Sequence, residues 1–111
     1  MAKRTHPVSP PAALAVQTLG LQIATGRRAR QWKAEDLAQR VGINVRTLRK
    51  VEQGFPTVAI GIVMELATLV GVPIFGVAPD ELSDVRLRAA DGLALLPARI
   101  YEPRTGVDDD F

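Results

Sequence analysis

The twenty residues Ala34 to Gln53, AEDLAQRVGINVRTLRKVEQ, admit few folds. Leu37, Val41, Ile43, Leu48 and Val51 are apolar, and the small Ala38 stands four positions before Gly42. These are the places where two short helices crossing at a tight turn must bury a side chain or avoid a clash. Leu37 and Val41 share one helical face, Leu48 and Val51 share another, and Ile43 fills the corner between them. A side chain larger than Ala38 would push the pair apart. Gly42 supplies the left-handed backbone that ends the first helix. Asn44 suits the N-cap of the second, and Gly54 suits the position just past its end.

Stepping about 100° per residue along that second helix gathers Leu48, Val51 and Glu52 on one side. Arg46, Arg49, Lys50 and Gln53 lie opposite. Arginine and lysine donate to guanine O6 and N7, and glutamine pairs with adenine N6 and N7. Surface helices also carry cations for solubility alone, but this face holds no carboxylate of its own. The pattern therefore points to insertion into a DNA major groove.

Net charge is +2, but its distribution is uneven. From Arg27 to Gln53 there are eight Lys/Arg against three Asp/Glu, and from Asp80 to Phe111 four Arg against eight acids. A basic middle and an acidic end imply either two partners or a tail that screens the basic face. The 111 residues suffice for a single modest core. With five aromatics that core must be mainly aliphatic, and the absence of cysteine leaves neither disulfides nor thiolate metal ligands. No Gly-rich phosphate loop, HExxH or GxSxG is present, so neither enzymatic activity nor a cofactor or metal is expected.

Along the chain, residues 1–8 read as a mobile arm in which His6 stands without a second ligand. The stretch from Lys3 to Leu21 has the outline of a signal peptide, but its prolines and Gln17 argue against one. Ser9 before Pro10 and Pro11 predicts a helix to about Gln31, buried through Val16, Leu19, Ile23, Ala24 and Arg27. Gly20 and Gly26 should weaken it by about 1 kcal/mol each and allow a break near Gly26. Trp32 is expected to close the top of the core. Lys33 is a poor N-cap for the next helix, partly offset by Glu35 and Asp36. Thr57 is the predicted N-cap of a helix to about Val70, stopped by Gly71 and Pro73. That helix is read as core, because its uninterrupted length is too short to span a bilayer. Ile74, Phe75 and Val77 either complete the core or form a dimer contact. Asp80 is the expected cap of a further helix to about Leu96, interrupted at Gly92, and the tail from Ala98 to Phe111 should be flexible.

EDLAQRVGINVRTLRKVEQG and VMELATLVGV resemble the Cro/XRE-type helix-turn-helix domain, over about Leu19 to Val72. The resemblance implies an all-α, lambda-repressor-like five-helix bundle containing the helix-turn-helix, with residues 9–78 as the DNA-binding domain. Residues 79–111 add a C-terminal helix or tail. It implies base contacts from Val45, Arg46 and Lys50, with Arg49 nearby, and phosphate contacts from Thr47 and Gln53. Ala34 stands at the first position of the second helix, where glutamine is usual, and Lys33 replaces the usual Ser/Thr cap. Arg27 and Glu52 match the family's structural ion pair. LGLQIATGRRAR, VEQGFPTVAIG and LPARI further resemble HipB-like antitoxins of HipA/HipB toxin–antitoxin systems. That likeness implies a cytoplasmic homodimer that represses its own operon from a palindromic operator and binds a HipA-like serine/threonine kinase toxin. A stand-alone phage-type repressor, or a protein-interaction module that keeps the helix-turn-helix as scaffold, are the alternatives.

Overall fold

The computed structural model describes residues 7–100, so His6, most of the expected N-terminal arm and residues 101–111 of the expected flexible tail fall outside the described residues. Among the described residues there are five α-helices and no strand: α1 (Pro10–Ala29), α2 (Ala34–Val41), α3 (Val45–Glu52), α4 (Ile60–Leu69) and α5 (Leu82–Ala94). Short 3-10 turns occupy Ile74–Gly76 and Pro79–Glu81. The all-α class holds, with α5 as the C-terminal helix. The chain divides into two compact units at the Pro79/Asp80 junction.

In the first unit, α1 packs on α3 and α4, and α2 packs on the same two helices. Ile23, Leu37, Ala38, Leu48, Val51, Leu66, Ala67 and Val70 form its fully buried core, with Leu19, Trp32, Val41, Ile43, Val58, Ile62 and Ile74 packed around them. The core is aliphatic, as the scarcity of aromatics requires.

α1 runs unbroken through Gly20 and Gly26, against the expected break. The reason lies in packing. A Cβ on Gly20 would collide with the backbone carbonyl of Val51, and one on Gly26 would sit 2.5 Å from the carbonyl oxygen of Val70. Both glycines let α1 approach another helix by its backbone, an advantage that offsets their poor helix propensity. The helix ends at Ala29, two residues early, because Gln31 turns left-handed (φ 60°). That turn lets Trp32 donate its N–H to the Arg27 carbonyl at 3.1 Å.

Gly42 adopts φ 83° between α2 and α3, and its N–H and that of Ile43 both donate to the Ala38 carbonyl, at 2.9 and 3.0 Å. This closes the turn over the small residue. Thr57 does not cap α4: Ala59 occupies the cap position and gives no side-chain hydrogen bond. Ile74 packs on the core, whereas Phe75 (φ 57°) turns outward and is 79% exposed. In the second unit, Asp80 lies in a 3-10 turn, Glu81 takes the cap position, and α5 continues through Gly92 to Ala94. Leu87, Leu93, Leu95, Leu96 and Ile100 are exposed there.

Candidate nucleic-acid interface

α3 is fixed at both ends before its outer face comes into question. The Asn44 side-chain oxygen accepts the Thr47 N–H at 2.8 Å, satisfying one of the orphan donors of the first turn. At the other end Gly54 turns left-handed and Phe55 donates its N–H to the Lys50 carbonyl at 2.9 Å. Leu48 and Val51 are buried against α1 and α2, which sets the rotation of the helix about its axis. Arg46, Arg49, Lys50 and Gln53 are left exposed on the other side.

The helix stands as a ridge between two open clefts. One is lined by Thr25, Arg28, Ala34, Arg49 and Gln53, the other by Thr47, Lys50, Phe55, Thr57 and Ala59. Cationic side chains thus stand on both flanks of a short helix whose outer face is exposed.

Behind the ridge, Arg27 on α1 forms a fork with Glu52, Nε to Oε2 at 2.7 Å and Nη2 to Oε1 at 3.0 Å. Its remaining Nη1 donates to the Trp32 carbonyl at 2.9 Å. Both side chains of the pair are 12% exposed. Hydrogen bonding to Glu52 pushes the Arg27 guanidinium further above its ordinary value, outweighing the opposing effect of partial burial. The guanidinium is therefore charged at neutral pH. The pair ties the end of α3 to α1 and to the loop before α2.

The other residues singled out from sequence divide into groups. Lys33 is exposed beside α2 and makes no capping bond. Val45 and Ala34 are half-buried and packed on the core, so only part of each reaches outward. Thr47 is half-buried, and its hydroxyl donates to the Asn44 side-chain oxygen at 3.1 Å. In this arrangement that hydroxyl's hydrogen is committed to the cap, not to a phosphate. Arg49 is not surrounded by cations alone: Glu35, from the first turn of α2, lies 3.8 Å from it, with both side chains more than half exposed. Such a pair contributes little to stability, but it places a carboxylate beside the cationic ridge.

Two arginines counted in the basic segment serve the fold. Arg30 donates to the Val70 carbonyl at 2.6 Å, closing the end of α4 from forty residues away in sequence. Arg40 lies 4.4 Å over the Trp32 ring. Neither role carries a local sequence signal.

The family model described as a helix-turn-helix domain matches residues 18–82, from the middle of α1 to the start of α5. The chain belongs to the helix-turn-helix domain family. No curated protein and no solved structure matches it significantly. Membership makes the chain a DNA-binding regulator, in a family that is typically non-enzymatic. No described helix is long and apolar enough to cross a membrane.

Proposed function

We propose that this helix-turn-helix protein is a Cro/XRE-type, sequence-specific repressor that acts as a homodimer on a palindromic operator in the cytoplasm. The observation that carries the reading is the exposed ridge of Arg46, Arg49, Lys50 and Gln53 on a helix capped at both ends. Arg46 and Lys50 read bases, with Val45 giving an apolar edge for a thymine methyl. Arg49, Gln53, Lys33 and Thr47 face the backbone, Thr47 only after exchanging its bond to Asn44. One such unit covers a few base pairs, so a two-fold pair with half-sites about 34 Å apart supplies the remaining specificity.

Within that class we infer an antitoxin that represses its own operon and restrains a HipA-like kinase. Support comes from the HipB-like segments and from the second unit, an acidic segment with leucines exposed at Leu87, Leu93, Leu95 and Leu96. Charged and apolar surface of that kind suits a protein partner and serves no DNA contact. A kinase-like reading frame beside this one supports the assignment; its absence favours the stand-alone repressor.

The test is operator selection from a random duplex pool, followed by titration of Arg46→Ala and Lys50→Ala on the selected site. Each substitution should cost about 1–3 kcal/mol and relax preference at one base position. Unchanged affinity in both variants refutes the assignment of the reading face.

A further inference from the structure

The N-terminal helix carries an uncharged surface beside the recognition ridge. From Pro10 to Gly26 the sequence contains no Asp, Glu, Lys or Arg, yet most of those residues are exposed. A solvated amphipathic helix normally places charges on its outer face. Here Leu14 and Leu21 are 62% and 65% exposed. Thr18 and Thr25 complete a stripe with them at spacings of four, three and four, the seam of a helix pair. Both threonine hydroxyls are turned back into the helix, Thr18 donating to the Leu14 carbonyl at 2.7 Å and Thr25 to the Leu21 carbonyl at 2.8 Å. With the hydroxyl hydrogens committed, the stripe is more apolar than its composition suggests.

We propose that α1 packs antiparallel against α1 of a second copy through Leu14, Thr18, Leu21 and Thr25; this rests on the homodimer reading above and names its interface. Three features select a second copy. The face is uncharged, so it meets its own image without like-charge repulsion and gives a charged partner nothing to pair with. The stripe is self-complementary when reversed: Leu14 lies opposite Thr25 and Leu21 opposite Thr18, so large meets small in every layer. The third feature is orientation. Leu21 and Thr25 border the same cleft as Arg49 and Gln53, which places the recognition ridge to one side of the stripe. A two-fold axis crossing the helices keeps both ridges on the same side of the pair, as a palindromic duplex requires. An axis along the helices would turn them to opposite sides. The stripe spans only about 16 Å of helix. The free pair is therefore weak, and the operator tightens it by holding both copies.

The chain contains no cysteine, which permits a direct test on the full protein. Leu14→Cys and Thr25→Cys proteins, mixed under mild oxidation, should form a disulfide-linked dimer. Neither alone should, because in the antiparallel pair equal positions lie about 16 Å apart. A linked dimer from either variant alone overturns the antiparallel arrangement, and no linkage in the mixture overturns the contact. Sedimentation equilibrium then compares the parent with Leu21→Glu, whose exposed position leaves helicity intact by circular dichroism. The dissociation constant should rise about 100-fold or more. A parent that is monomeric at hundreds of micromolar, or an unchanged constant in Leu21→Glu, refutes the interface. A dimeric Leu21→Glu that still binds operator leaves the repressor reading standing and places its dimer surface elsewhere.

Discussion

Replacing Gly20 with alanine inverts an ordinary rule. In the interior of a helix, glycine to alanine stabilises by about 1 kcal/mol, because alanine restricts the unfolded chain and has the better propensity. At Gly20 the added Cβ would collide with the carbonyl oxygen of Val51 and sit 3.1 Å from that of Glu52, both at the end of the recognition helix. These are backbone atoms, unable to rotate aside, so relief requires moving α1 and α3 apart. Overpacking typically costs about 1–3 kcal/mol, and because only backbone movement relieves it here the upper half of that range, about 2–3 kcal/mol, applies. Subtracting the propensity gain leaves a net loss of about 1–2 kcal/mol, which lowers the melting temperature by about 5–15 °C for a domain of this size. Gly61 and Gly92 are helical glycines whose added Cβ would meet nothing within 4 Å, so alanine there should be neutral or stabilising. Thermal unfolding of the three variants by circular dichroism decides the matter. A Gly20→Ala protein that melts at or above the parent refutes the claim that the two helices meet backbone to helix. The same variant should weaken operator binding, since the displaced element is α3 itself.

Other consequences follow from the ties around the recognition helix. Arg27→Met or Glu52→Leu alone should destabilise by about 3 kcal/mol, since each leaves a largely buried charge unpaired, and the double variant should be less destabilised than the worse single one. Equal urea midpoints for the three would contradict this. Asn44→Ala removes the cap of α3 and should cost about 1 kcal/mol, read as a lower urea midpoint with an unchanged slope. Because the fork holds the Arg27 guanidinium above its usual value, stability from the arginine side is fully present below that range and is lost only as pH rises through it. Replacing Arg27 should therefore change the unfolding midpoint by the same amount at pH 7 and pH 9.

The pair of helices around Gly42 was legible because its constraints are local. Ala38, Gly42, Ile43 and Asn44 lie within seven residues, and each is dictated by a turn that admits few side chains. The alternation of buried Leu48 and Val51 with exposed Arg46, Arg49 and Lys50 follows from helical period alone. What the sequence could not reveal is contact between distant segments. Gly20 and Gly26 read as weak points in α1 because the backbones they accommodate, at Val51 and Val70, lie more than thirty residues away. Arg30 read as one more cation of the basic segment, although its partner is the end of α4. Glu35 belongs to α2, so the period of α3 alone leaves the outer face wholly cationic, and only folding α2 against α3 brings the carboxylate beside Arg49. The predicted cap at Thr57 failed for a different reason: the turn after Pro56 continues to Ala59, so the threonine precedes the helix.

The central claim is that Arg46, Arg49 and Lys50 meet a duplex from the exposed face of α3. The most direct measurement is the salt dependence of binding to the selected operator, by fluorescence anisotropy, for the parent and for Arg49→Ala. Phosphate contact releases counterions, so the logarithm of affinity should fall linearly with the logarithm of salt, and losing one phosphate contact should reduce the slope by about one. A binding constant that barely responds to salt, or a slope that Arg49→Ala leaves untouched, would contradict the assignment of this ridge to DNA.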